Sequence, residues 1–197
     1  MKTYRIQEIF YSLQGEGAWT GHPTVFIRFF GCNLKCKFCD TPQRKEDCRE
    51  MSALEIWEEA ASLCPKDSHF CLTGGEPLLQ VDEEFLEVGG EPYLHLETNG
   101  TIDITPLMRT WFSWIVVSPK GGEVKMNPGF IDEVRYPYTK ALEEYILNSP
   151  LKGLKYISPI NYGKEIDWRN VDDAVHFCLK HPSFTLSMQL HKLIMIK

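Results

Sequence analysis

Three cysteines, Cys32, Cys36 and Cys39, fall within eight residues of one another in the stretch FFGCNLKCKFCDT at residues 29–41. A disulfide takes two thiols, and a closed tetrahedral metal site takes four protein ligands. Thiolates are soft donors that suit zinc or iron–sulfur clusters. Zinc would need a fourth ligand, and neither Cys48 nor His22 stands at the paired spacing of a zinc knuckle or ribbon. A cubane cluster held by three cysteines leaves one iron without a protein ligand, open to a small molecule that chelates through nitrogen and oxygen. Phe38, directly before the third cysteine, is placed to shield such a cluster from water. The remaining cysteines are scattered. Cys71 lies in an apolar run, and Cys178 lies on the helical face Val171, Ala174, Val175, Cys178, Leu179, so both read as packing residues.

Five further polar motifs punctuate the chain: LQGEG at 13–17, TGGEP at 73–77, ETNGT at 97–101, SPKGG at 118–122 and SPIN at 158–161. Taken singly they are turns. Gly-Gly breaks loops in any protein, Asn-Gly favours tight turns, and Lys120 alone would be a solvated charge. Their positions give them more meaning, because each follows an apolar, strand-like run. LQGEG follows a short strand near the N-terminus. The runs at 24–30, 69–72, 93–97, 114–117 and 154–157 lead into the cysteine loop and the other four motifs, and a last run covers 184–190.

Helical patterns fall between some of these runs. Ser52 and Glu55 form a capping-box pair, Met51 and Ile56 have the spacing of a hydrophobic staple, and the helix runs to about Leu63, before Pro65. A second helix spans 167–181, and shorter ones cover 82–88 and 106–112. Strands alternating with helices imply right-handed crossovers and a parallel sheet. In such a sheet the polar motifs collect along one rim, where α/β barrels place their active sites. The chain is short for eight strand–helix units. The expected fold is α/β: a single domain over 1–197, an open, partial TIM-like barrel of about six parallel strands with reduced helix content.

The bulk numbers agree with an ordinary globular protein. The chain has 197 residues, 43% hydrophobic and 24% charged, with seven cysteines and a formal charge of −6. The negative charge argues against a nucleic-acid surface, which needs clustered Lys and Arg. The start MKTYRIQEIF lacks the apolar core of a signal peptide, and no apolar stretch reaches bilayer length. A soluble, cytoplasmic protein with no membrane contact is expected.

CNLKCKFC, a C-x3-C-x2-C loop directly after a strand with an aromatic before the last cysteine, resembles the signature of the radical S-adenosylmethionine (radical SAM) family. The ordered set LQGEG, FIRFFGC, C-x3-C-x2-CDT, TGGEP, ETNGT, SPK and SMQLHK resembles, over nearly the whole chain, the 7-carboxy-7-deazaguanine synthase family within it. SLQGEG and SMQLHK are the specific parts.

That resemblance implies a carbon–nitrogen lyase that converts 6-carboxy-5,6,7,8-tetrahydropterin to 7-carboxy-7-deazaguanine with loss of ammonia. The product feeds 7-deazapurines, including queuosine in transfer RNA. It implies a [4Fe-4S] cluster on Cys32, Cys36 and Cys39. It places S-adenosylmethionine against Gly75, Glu76, Ser118, Pro119, Lys120, Ser158, Pro159, Ile160 and Asn161, and Mg²⁺ at Thr41. Substrate contacts fall to Leu13, Gln14, Gly15, Arg28, Thr73 and Lys197, the last through the chain's terminal carboxylate. Glu16, Glu97 and His191 are the implied catalytic groups. Backbone groups at Leu13, Gln14 and Gly15 would read the pterin edge, with Glu16 accepting from ring N–H groups. Arg28 would fork onto the substrate carboxylate, which a guanidinium does better than an ammonium. Glu76 has two roles open, cofactor contact or loop tie. A homodimer and an electron donor such as flavodoxin or ferredoxin are implied as partners.

Three departures from the family stand out. Ser158 replaces a frequent Gln, residues 139–148 carry Glu143 and Glu144 where relatives have a more apolar strand, and Lys197 replaces a terminal Pro. Two other readings share some features: a small radical SAM activase that installs a glycyl radical on a partner protein, and a non-enzymatic zinc- or cluster-binding module.

Overall fold

The run that leads into the cysteine loop forms β2 (Pro23–Phe29), in a computed structural model that describes residues 2–41, 44–65, 68–163 and 165–197. On one side β2 pairs antiparallel with β1 (Tyr4–Leu13), which is longer than the short strand expected and pairs antiparallel with β3 (Arg49–Met51). On the other side follow β4 (His69–Gly74), β5 (Tyr93–Thr98), β6 (Trp114–Val117), β7 (Glu133–Tyr138), β8 (Leu154–Pro159) and β9 (Thr185–Leu186), each parallel to the one before. Among the described residues the order β3-β1-β2-β4-β5-β6-β7-β8-β9 does not return on itself, so the barrel is open.

Among the described residues six parallel strands of four or more residues are present, as the sequence predicts, but the membership differs. The run at 184–190 gives β9 only two residues before the chain turns into α6 (Leu190–Leu193). The sixth full strand is β7, EVRYPY. Its Glu133, Arg135 and Pro137 break the apolar pattern by alternating with Val134, Tyr136 and Tyr138, which are fully buried on the other face.

The helices begin where the caps place them. α1 (Ala53–Ser62) starts from a two-way capping box. The Glu55 amide donates to Ser52 Oγ at 3.4 Å, and the Glu55 carboxylate accepts from the Ser52 amide at 2.8 Å. Asp82, Thr105 and Asp167 cap α2 (Glu83–Gly89), α3 (Pro106–Trp111) and α5 (Trp168–Lys180). The strand expected within 139–148 is absent; a helical turn leads into α4 (Glu143–Leu147) instead. Glu143 and Glu144 in its first turn complement the helix dipole, and a single fully buried residue, Ile146, suits one turn laid on the surface.

The strands' outward side chains, among them Ile27, Leu72, Leu96, Ile115 and Ile157, are fully buried against Ile56 and Ala60 of α1, Phe85 of α2 and Ala174 of α5. Inside the barrel, the first residues of β4, β5 and β6 are His69, Tyr93 and Trp114, and they pack with Trp19 as a ring cluster. That plug fills the end where the strands start and leaves the opposite end for a cleft. No helix among the described residues is long and apolar enough to cross a membrane.

Candidate active site

A cleft of about 1210 Å³ opens at the C-terminal ends of the strands. Period-two alternation turns Arg28 of β2, Thr73 of β4, Glu97 of β5 and Arg135 of β7 onto its wall. Of the residues expected from sequence, Leu13, Gln14, Gly15, Glu16, Arg28, Thr41, Thr73, Gly75, Glu97, Ser118, Lys120, His191 and Lys197 line this one cleft. Glu76, Pro119, Ser158, Pro159, Ile160, Asn161 and the three cysteines lie outside its lining.

Glu97 and Arg135 form its polar centre. Arg135 Nη1 donates to Glu97 Oε1 at 3.0 Å, and Arg135 Nη2 donates to Glu133 Oε1 at 3.0 Å. Burial disfavours the guanidinium charge, yet Glu97, Glu133 and Glu16 outweigh it and keep Arg135 protonated. Burial likewise pushes the Glu97 carboxyl up, but the charge and hydrogen bond of Arg135 hold it below the ordinary value. Glu97 Oε1 also accepts from Gln14 Nε2 at 3.1 Å, and Oε2 from Thr73 Oγ1 at 3.2 Å. Glu97 is therefore an ionised acceptor in a fixed orientation.

The loop after β1 meets this centre. The Gln14 amide donates to the His22 carbonyl at 2.8 Å, and the Gln14 carbonyl accepts from the Gly21 amide at 2.8 Å. The Gln14 backbone thus closes a turn, and its side chain bridges Glu97 and the Glu16 amide. The Gly15 carbonyl accepts from the Leu190 amide at 2.9 Å, which brings His191 against Gly15. Ser158 Oγ donates to the Glu16 carboxylate.

Arg28 is another cation of the cleft. Its Nε donates to Glu8 Oε1 at 2.9 Å, and Lys197 Nζ reaches Glu8 Oε2 at 2.7 Å. Burial raises the Glu8 carboxyl, but the two cations bring it net below its usual range. The Lys197 carbonyl oxygen accepts from Ser12 Oγ at 2.7 Å, so the C-terminal segment is held along β1.

Glu76 is fully buried with both oxygens engaged. Oε1 accepts from Thr98 Oγ1 at 2.8 Å and the Leu78 amide at 3.1 Å, and Oε2 from the Asn99 amide at 2.7 Å. It ties TGGEP to ETNGT. TGGEP is in turn pressed onto the base of the cysteine loop: a Cβ at Gly75 would lie 2.1 Å from the Gly31 carbonyl oxygen and 2.9 Å from Cys32 Cβ. Asn161 Nδ2 donates to Gln189 Oε1 at 2.9 Å and Asn161 Oδ1 accepts from the Asp167 amide at 2.8 Å, so SPIN braces SMQLHK.

All seven cysteines are free thiols; Cys32 and Cys39 are exposed and Cys36 is half-buried. Burial is the main cause of a raised Cys36 thiol, with Lys120 opposing it and Cys39 and Cys32 adding to it. Beside Cys36 a smaller cavity of about 330 Å³ is walled by Phe38, Asn99 and Lys120. Among the described residues no three His, Cys, Asp or Glu side chains converge on a point that would hold one metal ion. Three soft sulfur donors on one loop fit an iron–sulfur cluster and fall one short of the four protein ligands of a closed zinc site.

Sequence reasoning missed several residues. Arg135 lines the cleft, with Glu133 fully buried behind it, on the strand that was not predicted. Asp40 accepts from Lys192 Nζ at 2.7 Å and Gln189 Nε2 at 3.2 Å, fastening the SMQLHK segment to the cysteine loop. CDT and SMQLHK were visible as motifs, but their mutual contact was not.

Comparison with known proteins follows the same lines. The profile of the Radical SAM superfamily matches residues 26–149. The chain is 37% identical to a 7-carboxy-7-deazaguanine synthase of Bradyrhizobium diazoefficiens, with 99% of this chain and 100% of the relative aligned. It is 40% identical to one of Bacteroides thetaiotaomicron over 98% of each chain. The crystal structure of QueE from Escherichia coli superposes with a TM-score of 0.71, covering 96% of this chain and 95% of that one at 24% identity, a likeness of fold.

Proposed function

Because this chain belongs to the radical SAM superfamily and, within it, to the 7-carboxy-7-deazaguanine synthase family, we propose that it converts 6-carboxy-5,6,7,8-tetrahydropterin to 7-carboxy-7-deazaguanine with loss of ammonia. The observation that carries this reading is the convergence of Glu16, Glu97, Thr73 and Arg28 in one cleft bordered by the cysteine loop. A pterin presents a row of N–H donors at one edge and, here, a carboxylate on the ring.

Glu16 accepts from the ring N–H groups. Arg28, held by Glu8 through one nitrogen, pairs with the substrate carboxylate. Glu97, ionised and fixed by Arg135, Gln14 and Thr73, accepts from the substrate at the reacting side. His191, seated against Gly15, closes the cleft from the C-terminal segment and exchanges a proton with the substrate. Cys32, Cys36 and Cys39 would hold the [4Fe-4S] cluster, and Gly75, Ser118 and Lys120 the S-adenosylmethionine. When bound, these two groups supply the hydrogen-atom abstraction chemistry. Thr41, on the cleft wall beside the cysteine loop, is the protein oxygen for Mg²⁺, a hard cation that keeps waters and takes oxygen donors. A homodimer in the cytoplasm, reduced by a flavodoxin or ferredoxin, completes the reading.

The test is direct. The anaerobically reconstituted protein is incubated with S-adenosylmethionine, a reductant, Mg²⁺ and carboxytetrahydropterin, and 7-carboxy-7-deazaguanine is sought by mass spectrometry. Product is expected from the unsubstituted protein and none from Cys36→Ala, which remains folded. Turnover by the Cys36→Ala protein would refute the ligand assignment.

A further inference from the structure

We propose that Arg135 is a positioning residue for the substrate: from β7 it grips Glu97, Glu133 and the backbone of Glu16 together, and so fixes the shape of the cleft wall that receives the pterin. The role rests on the pterin reading above. Arg135 is 5% exposed and Glu133 fully buried. A guanidinium has five N–H donors in a rigid fork, and these are spread over three elements. Nε and Nη2 donate to Glu133 Oε1 at 3.2 and 3.0 Å, Nη2 also to the Glu16 carbonyl at 3.3 Å, and Nη1 to Glu97 Oε1 at 3.0 Å. Nη1 further stands 3.8 Å from Glu16 Oε2.

Stability alone does not account for this pair. Taking both charges out of water roughly cancels their attraction, and an apolar pair of similar volume often serves the fold as well. What the pair does is local. Glu133 Oε2 accepts from the Ala18 amide at 3.0 Å and Trp114 Nε1 at 3.3 Å, anchoring the turn that follows Glu16. The turn is pressed so closely that a Cβ at Gly17, which has φ +73°, would lie 1.9 Å from Glu133 Oε1 and 2.7 Å from Arg135 Nη2. Three carboxylates, Glu16, Glu97 and Glu133, meet around this one cation, and without it they would repel one another. Lysine keeps the charge but lacks the fork, so it cannot hold all three partners.

The experiment measures equilibrium binding of 6-carboxypterin, the fluorescent oxidised analogue, to the cofactor-loaded protein, together with steady-state kinetics. Two variants are compared. Arg135→Lys keeps the cation. The pair Arg135→Met with Glu133→Gln removes both buried charges, so neither is left unpaired. Circular dichroism reports the fold, and Arg135→Lys decides the question if the paired variant does not fold. The expected result is a rise of tenfold or more in the Kd for 6-carboxypterin and in the KM for substrate, with the Kd for S-adenosylmethionine unchanged. A merely structural role would lower kcat through the active fraction and leave KM and the pterin Kd within twofold; that outcome overturns the proposal. Failure of the unsubstituted protein itself to bind 6-carboxypterin would overturn the pterin reading, and the positioning role would fall with it.

Discussion

The Ser158 hydroxyl donates to the Glu16 carboxylate, across the boundary between two segments to which the family resemblance assigned different ligands. SPIN was expected at the cofactor and LQGEG at the substrate, yet this hydrogen bond joins them. A hydrogen bond to a charged group contributes about 1.5–3 kcal/mol, and its loss would leave Glu16 free to rotate. Ser158→Ala is therefore expected to raise the substrate KM about tenfold while the Kd for S-adenosylmethionine stays put. A change in the S-adenosylmethionine Kd with an unchanged substrate KM would return Ser158 to the cofactor side. Individual residues of this site were legible when their type was unusual for their place. Arg28 stood out inside an apolar run, whereas Glu16 and Glu97 took their roles from the family resemblance. Glu76 did not declare its role, because a carboxylate beside a glycine pair reads alike whether it meets a ligand or, as here, three donors of its own protein.

Caps carried most of the element-scale information. α1, α2 and α5 begin after Ser52, Asp82 and Asp167, whose side chains accept from the first-turn amides. These signals are local in sequence, so a reader of the sequence finds them. Ser52→Ala would remove one half of the α1 box at a cost of about 1 kcal/mol. For a chain of this size that corresponds to a Tm lower by about 2–4 °C. Turnover at 25 °C is expected to be unchanged, since α1 packs outside the barrel; calorimetry beside an activity assay checks both. An unchanged Tm would mean that the box is idle. Strand β7 was illegible for the opposite reason. Its Arg135 faces a polar cleft and its Glu133 pairs with that cation rather than with an apolar core, so the alternation that marks strands reads there as a charged loop. The element that sequence reasoning lost is thus the one carrying Arg135 and Glu133. The helical turn and α4 misled for a related reason, as comparison with an apolar strand outweighed two glutamates suited to a helix start.

At the scale of the whole molecule the barrel interior is divided. The cleft end holds charges that satisfy one another, whereas the other end is filled by aromatic and imidazole rings that must stay neutral. His95, 1% exposed, packs 5.3 Å from Trp19, 5.3 Å from Tyr93 and 5.4 Å from His69, centroid to centroid. Burial is the main cause that brings its pKa down to about 4; His69 and Arg135 lower it further, against the pull of Glu97. His69 is shifted the same way by burial and by its stacked neighbour His22. In the unfolded chain the same imidazole titrates near 6.5. Above that pH neither state is protonated, and stability does not depend on His95. As the pH falls below about 6.5 the unfolded state takes the proton first, so stability declines, and the decline levels off only near pH 4, where the folded state binds it too. Each pH unit in this window is worth about 1.4 kcal/mol, and the carboxyls of Glu97 and Asp40, both held low, add their own loss mainly below it. Urea unfolding at pH 7.5 and pH 5.5 is expected to show the protein losing more than about 1 kcal/mol over that interval. His95→Gln, which cannot take up the proton, should lose about 1 kcal/mol less over the same interval. Equal losses in the two proteins would mean that the ring cluster admits a charged imidazole, and that the neutral end of the barrel is not neutral by necessity.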